Sequence, residues 1–304
     1  MKNLTIGYLY SGKIGKNEES FLKISKEKNL DVVLFDVTKP VDEMDLLEIQ
    51  KCDVIFNDSG DDFAINFVRI FEEMGKKVVE SSKAYQNENK WNFNQICKRN
   101  NIPTPETILL SKDLEIARVQ LTEFNHWPVI LKRVKGTWGE YVEKAENIDN
   151  AIEVINRLWE KGGEKLPIIA QDFMDSFSYR VTYIKDEIVQ TAIKENNNWK
   201  CTGVYARNFK RFDVDSELKD IVQKIMNTFD IKICGIDLLK KDNHWYVIEV
   251  NTEPALDFFE EEREVLITKI IDLLIENAII ERNIIEKAII ETKKQIEAPI
   301  PICC

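Results

Sequence analysis

Histidine is almost missing from this chain: His126 and His244 are the two it has in 304 residues. There is no serine-elbow motif either, so catalysis by a histidine-activated nucleophile is excluded as a first reading. Any chemistry must run on carboxylates, lysines, arginines and a metal. Six cysteines (Cys52, Cys97, Cys201, Cys234, Cys303, Cys304) lie scattered without metal-ligand spacing, which points to reduced thiols in a cytoplasm. No apolar run approaches a membrane span, and the opening "MKNLTIGYLY" lacks a signal-peptide layout. A cytoplasmic protein with no membrane partner is expected. Basic excess is lacking too: the formal charge is −11, whereas a general nucleic-acid binder needs a basic surface to neutralise phosphate. A local basic pocket for a small anion stays open. Glycine is sparse where a nicotinamide enzyme would need it, since "YSGKIGKNEE" carries only Gly12 and Gly15 and misses the dinucleotide fingerprint.

What is present is an ordinary globular composition, 44% hydrophobic and 31% charged, long enough for two or three domains. The first 85 or so residues alternate strand-like and helix-like segments ("LTIGYLY", "DVVLFDV", "DVIFND", "KKVVES" with helices between), which predicts a parallel sheet. Two prolines in "NNIPTPET" mark a linker. A β-α-β-loop-β-α unit follows, then the antiparallel pattern "YRVTYIKD", "EIVQTAIKE", "WKCTGVYA" and a closing hairpin, "ICGIDLLKKDNHWYVIEVN". The fold class is therefore mixed, α/β and α+β. Expected boundaries are 1–88 for the leading domain, 89–170 for a central lid domain, 171–280 for a C-terminal domain and 281–304 for a tail. The tail repeats "IIExx", and a period of five matches neither helix nor strand; a helical extension with a smeared apolar face is the plain reading.

The hairpin carries the chemistry. Glu249 and Asn251 share one face of "YVIEVN" by the period-two rule. If the hairpin loop is odd in length, Asp237 lies opposite Glu249, with β-carbons only about 5 Å apart. Two carboxylates that close repel unless a cation sits between them. Asp, Glu and Asn oxygens are a hard-ligand set suited to Mg²⁺ beside a polyphosphate. The competing reading is a hairpin with surface carboxylates, which the apolar flanks of Glu249 oppose.

Positive charge for a triphosphate is available. Lys132 ends the apolar strand "PVILK", and Gly136 and Gly139 in "VKGTWGE" would let backbone N–H groups close over phosphate. Alone, the loop could equally be a flexible hairpin tip. Lys90 in "NENKWNF" is a second candidate cation, although a lysine near a helix start is usually solvated. "IIAQDFMD" could be an adenine hinge or simply a core strand with polar ends. Arg180, Lys194 and Arg207 could line a site for phosphate and an acid substrate or sit singly on the surface.

Taken in order, Lys90, Lys132, the glycine loop, "AQDFM", "GIDLL" and "IEVNTEP" resemble the ATP-grasp superfamily of carboxylate–amine ligases with a Rossmann-like leading domain. "LKRVKGTWGEYVEKA" and "EVN" are most similar to its RimK-type group, which includes glutamate ligases and the carrier-protein ligases of lysine biosynthesis. The resemblance implies Mg²⁺, with Mn²⁺ as a substitute, on Asp237, Glu249 and Asn251. It implies ATP held by Lys90, Lys132, the loop residues Gly136, Thr137, Trp138 and Gly139, and the hinge residues Gln171, Asp172, Phe173 and Met174. It implies catalytic roles for Arg180, Lys194 and Arg207 against phosphate or the carboxylate substrate. The reaction implied is ATP-dependent amide formation through an acyl phosphate, joining an amino acid to a small molecule, peptide or carrier protein, in a homo-oligomer. Two features depart from the family pattern: Ser178 stands where Asp often precedes the arginine, and "TEPALDFF" follows "EVN". A peptide-side-chain crosslinking ligase and a non-catalytic nucleotide-binding protein of the same fold remain the alternatives.

Overall fold

The computed structural model describes residues 3–297 except position 41 and the segments 86–88, 137–138, 162–163, 196–198 and 201–207. The chain divides into two compact units, Met1–Ser82 with Phe259–Cys304, and Lys83–Phe258.

In the first unit, strands β1 (Thr5–Tyr10), β2 (Asp31–Asp36), β3 (Val54–Asn57) and β4 (Val78–Val79) form a parallel sheet in the order β2-β1-β3-β4. Strand β1 is buried along its whole length. A parallel strand covered on both faces explains why "TIGYLY" shows no polar alternation. Helices α1 (Lys16–Glu27), α2 (Glu43–Gln50) and α3 (Asp62–Glu73) make the crossovers.

The tail is one helix, α9 (Arg263–Glu297), and it belongs to this unit. Leu266, Ile267, Ile270, Ile271, Leu274 and Ala278 bury its first half, and Arg282 closes that half with paired contacts of 2.6 and 2.7 Å to Asp53. The later Ile279–Ile280, Ile284–Ile285 and Ile289–Ile290 pairs are exposed. Five residues of α-helix turn about 140° past a full circle, so each Ile-Ile pair points away from the last and no single stripe can be buried.

The second unit opens with the short helix α4 (Ser82–Tyr85, at the boundary) and α5 (Lys90–Arg99). A four-stranded antiparallel sheet follows, β5 (Thr107–Leu109), β6 (Val129–Arg133), β7 (Val142–Ala145) and β8 (Ile168–Asp172), in the order β5-β8-β6-β7. Helices α6 (Leu114–Phe124) and α7 (Ile148–Lys161) pack with it into one apolar cluster. The five-stranded antiparallel sheet runs β11-β10-β9-β12-β13, from β9 (Ser178–Ile184), β10 (Glu187–Glu195), β11 (Asn208–Lys210), β12 (Ile233–Lys241) and β13 (His244–Asn251). One face of it is closed by α5 and α8 (Ser216–Phe229) around Trp245, Val247, Val250, Ile236 and Leu238. Most of the expected strand "WKCTGVYA" lies outside the described residues.

The proline linker is pinned at both ends. The Pro103 carbonyl accepts from the Val247 N–H at 2.8 Å, and the Glu106 carbonyl accepts from the Asp172 N–H at 2.8 Å. Residues 103–106 thus join the edges of the two sheets of this unit.

Candidate functional site

The hairpin between β12 and β13 turns on Asp242 and Asn243, both with positive φ (51° and 65°), as a two-residue type I′ turn requires. An even turn would put the carboxylates out of register. The missing odd residue is a bulge: Leu238 pairs with Val247, but Asp237 pairs with Glu249, and Ile248 is the extra residue. Trp245 and Val247 face the core before the bulge, and Val250 faces it afterwards. Glu249 and Asn251 are therefore turned to the open face beside Asp237.

Asp237 is clasped from its other side. Arg180, its register partner on β9, donates from Nε to Oδ1 at 2.9 Å and from Nη2 to Oδ2 at 3.1 Å. Lys194 Nζ donates to Oδ1 at 2.7 Å, and Asn251 Nδ2 reaches Oδ2 at 3.4 Å. Burial alone would raise the Asp237 pKa, but the Arg180 and Lys194 charges outweigh it and hold the group at about 2. A carboxylate has about four acceptor positions, and all four are taken.

Sequence reading missed the residue that makes room for this clasp. A Cβ built on Gly235 would lie 1.7 Å from Arg180 Nη1. Its signal was there, because a glycine inside an apolar strand marks a close approach. Arg180 Nη1 itself is buried, with no hydrogen-bond partner among the described residues.

Lys90, the first residue of α5, is not solvated. Its Nζ lies 3.2 Å from Glu249 Oε2 and donates to the Gly136 carbonyl at 2.9 Å, while its N–H donates to the Val134 carbonyl at 2.9 Å. It ties the glycine loop to the hairpin carboxylate. The loop base is braced by Arg133 stacked 4.1 Å over the Tyr141 ring. Gly136 has a φ of 140°, and a Cβ there would meet Tyr141 at 2.9 Å, so glycine is required. Gly139 also has a positive φ, of 68°. Thr137, Trp138 and Arg207 lie outside the described residues.

Lys132, on β6, is buried and donates to Gln171 Oε1 at 2.7 Å. Burial pulls its pKa down to about 8; Lys90 acts the same way, while Glu249 and Asp237 oppose. Gln171, expected in the adenine hinge, therefore has its side chain turned toward Lys132. Of the other hinge residues, Asp172 has its N–H occupied by Glu106, Met174 is buried, and Phe173 carries Lys144 Nζ 4.8 Å over its ring.

The donor set fits a divalent cation. Among the described residues no three His, Cys, Asp or Glu side chains cluster as a metal site, so a site here depends on the Asn251 amide as third ligand. With Asn251 Nδ2 directed at Asp237, its Oδ1 is the end left for a cation.

The profile of the RimK-like ATP-grasp domain matches residues 87–274. The coenzyme gamma-F420-2:alpha-L-glutamate ligase of Methanococcus maripaludis is 30% identical over 179 residues, covering 58% of this chain and 62% of that protein. The alpha-aminoadipate–LysW ligase LysX of Saccharolobus solfataricus is 28% identical over 192 residues, covering 61% and 69%. Among solved structures, the ATP-grasp ligase PsnB complexed with precursor peptide PsnA2 and AMPPNP superposes with a TM-score of 0.67 at 18% identity, over 91% of this chain and 99% of that one.

Proposed function

This chain belongs to the RimK-like ATP-grasp family of ATP-dependent carboxylate–amine ligases, and we propose that its second unit activates a substrate carboxylate with ATP and passes it to an amino-acid amine. The observation that carries this reading is the in-register pair Asp237 and Glu249, with Asn251 beside it and Lys90 on Glu249.

In this reading Lys90 and Lys132 take the nucleotide phosphates, and the backbone of Phe173 and Met174 meets the purine. Asp237, Glu249 and Asn251 would hold a divalent cation, Mg²⁺ in our assignment, which supplies charge neutralisation on the phosphates. Of the four contacts on Asp237, Asn251 at 3.4 Å is the longest and the one whose release frees an acceptor position. Arg180 and Lys194 are assigned, in this reading, to the negative charge of the transferred phosphoryl group or the substrate carboxylate. Phosphoryl transfer asks for positioning and charge neutralisation rather than a histidine base, so two histidines suffice. The acyl phosphate must be kept dry, and we assign that role to the loop from Arg133 to Glu140, where Lys90 holds the carbonyls of Val134 and Gly136.

The acceptor carboxylate belongs, in this proposal, to a small molecule, a peptide or a carrier protein. The similar proteins are described as acting on a coenzyme or LysW, or as binding a precursor peptide. A second reading, nucleotide binding without turnover, has one observation in its favour: every acceptor position of Asp237 is already filled.

Amine-dependent ADP release with Mg²⁺, screened over amino acids and the three acceptor classes, separates the two. Turnover that disappears in Glu249→Ala supports the ligase. ATP binding with no turnover on any acceptor class leaves the second reading.

A further inference from the structure

Lys132 ends a buried hydrogen-bonded chain that crosses the β5-β8-β6 part of the small sheet. We propose that Gln171, Thr107 and Asn94 are positioning residues: a one-way relay anchored on the Pro105 carbonyl fixes the Gln171 carboxamide so that it holds Lys132 without cancelling its charge, keeping the ammonium for a nucleotide phosphate. The proposal rests on the ATP-dependent reading given above.

The direction of the relay follows from its two ends. A backbone carbonyl can only accept, so Thr107 Oγ1 must donate to the Pro105 oxygen, 2.8 Å away. With its proton committed, the Thr107 oxygen can only accept. It receives Gln171 Nε2 at 2.9 Å and Asn94 Nδ2 at 3.2 Å. That turns Gln171 Oε1 toward Lys132 Nζ, at 2.7 Å, and a lysine ammonium can only donate. The two ends agree on one orientation of the amide: a flipped carboxamide would set donor against donor at Lys132 and acceptor against acceptor at Thr107. Asn94 is itself held, with Nδ2 contacts of 2.9 Å to Thr104 Oγ1 and 3.4 Å to the Pro105 oxygen.

Register explains why these residues meet. Thr107 pairs directly with Gln171, and Gln171 pairs with Ile130, two residues from Lys132 on the same face. Asn94, Thr107, Gln171 and Lys132 are exposed by only 3, 3, 5 and 8%, so water does not stand in for a lost partner. A carboxylate at position 171 would bind the ammonium more strongly and also neutralise it. The amide gives geometry without that loss. The charged groups facing Lys132 are Lys90 on α5, Asp237 on β12 and Glu249 on β13.

The test is the dissociation constant of ATP against pH, by calorimetry on the full chain, for the wild type, Thr107→Val, Thr107→Ser and Gln171→Glu, with melting temperatures as the folding control. Thr107→Val keeps the shape and removes the hydroxyl, so ATP binding should weaken about tenfold, and Thr107→Ser should restore it. The alkaline limb of binding should move to lower pH in Thr107→Val, where Lys132 loses its fixed acceptor, and to higher pH in Gln171→Glu, where it gains a counter-charge. If Thr107→Val does not fold, the upward shift in Gln171→Glu carries the test alone. Folded variants whose limbs stay at the wild-type position, or a Thr107→Ser variant no better than Thr107→Val, would overturn the relay while leaving the ligase reading intact. A wild type that binds no ATP would remove both.

Discussion

The two sheets of the second unit treat a buried charge in opposite ways. On the five-stranded sheet, Asp237 is answered by two full charges, Arg180 and Lys194. On the four-stranded sheet, Lys132 is answered by the dipole of a neutral amide, Gln171. The first arrangement settles the carboxylate with ion pairs and leaves one of the two positive charges over. The second leaves its whole charge over, and charge left over in a buried place is an invitation to an anion. Both sheets thus keep positive charge for an anion, but only the first ties it to a buried ion pair.

Breaking the settled side should cost most. Asp237→Ala leaves two buried cations without their counter-charge and is expected to lose about 3–5 kcal/mol in urea denaturation. Gly235→Ala attacks the same clasp without touching a charge. Its methyl group occupies the place of Arg180 Nη1, and a loss of about 1–3 kcal/mol together with ATP turnover is expected. Lys132→Met should sharpen the contrast by going the other way. Removing a buried lysine relieves desolvation, so stability at neutral pH should rise by on the order of 1–3 kcal/mol while ATP affinity falls. The folded pKa of about 8 lies below the ordinary 10.5, so wild-type stability should climb as pH rises from about 8 toward 10.5; Lys132→Met should lack that climb.

An effect of similar size is expected in acid. Asp237 has its pKa lowered from 3.8 to about 2, so its contribution is complete above pH 4 or so and is lost as pH falls through about 2. That loss should amount to about 2 kcal/mol of acid sensitivity. An Asp237→Asn variant, compared by melting temperature against pH, should not show it.

Much of this was legible beforehand because strand periodicity is a local rule. Glu249 and Asn251 declare a shared face by their spacing, and the class of the fold follows from the alternation of its segments. Which cations meet which carboxylate was not legible. Arg180, Lys194 and Asp237 sit on three strands, and their meeting depends on register set by distant pairings. Gln171 shows the same limit from the other direction. Its neighbours in sequence suggested a purine contact, while its partners Thr107 and Lys132 are 64 and 39 residues away. The six isoleucines between Ile279 and Ile290 were hard to read because a five-residue step gives a helix no single side to bury.

The extra residue at Ile248 gives β13 two working halves. Before it, Trp245 fills the core and donates to Asp215 at the start of α8 at 2.8 and 3.0 Å; after it, Glu249 and Asn251 face the open side. A strand without the slip would have to trade one against the other, since a side chain sent to the core at an odd position would drag Glu249 in with it. With the slip, the packing half can be redesigned around α8, and the carboxylate half around a different acceptor, as though they were separate modules joined at a single hinge residue.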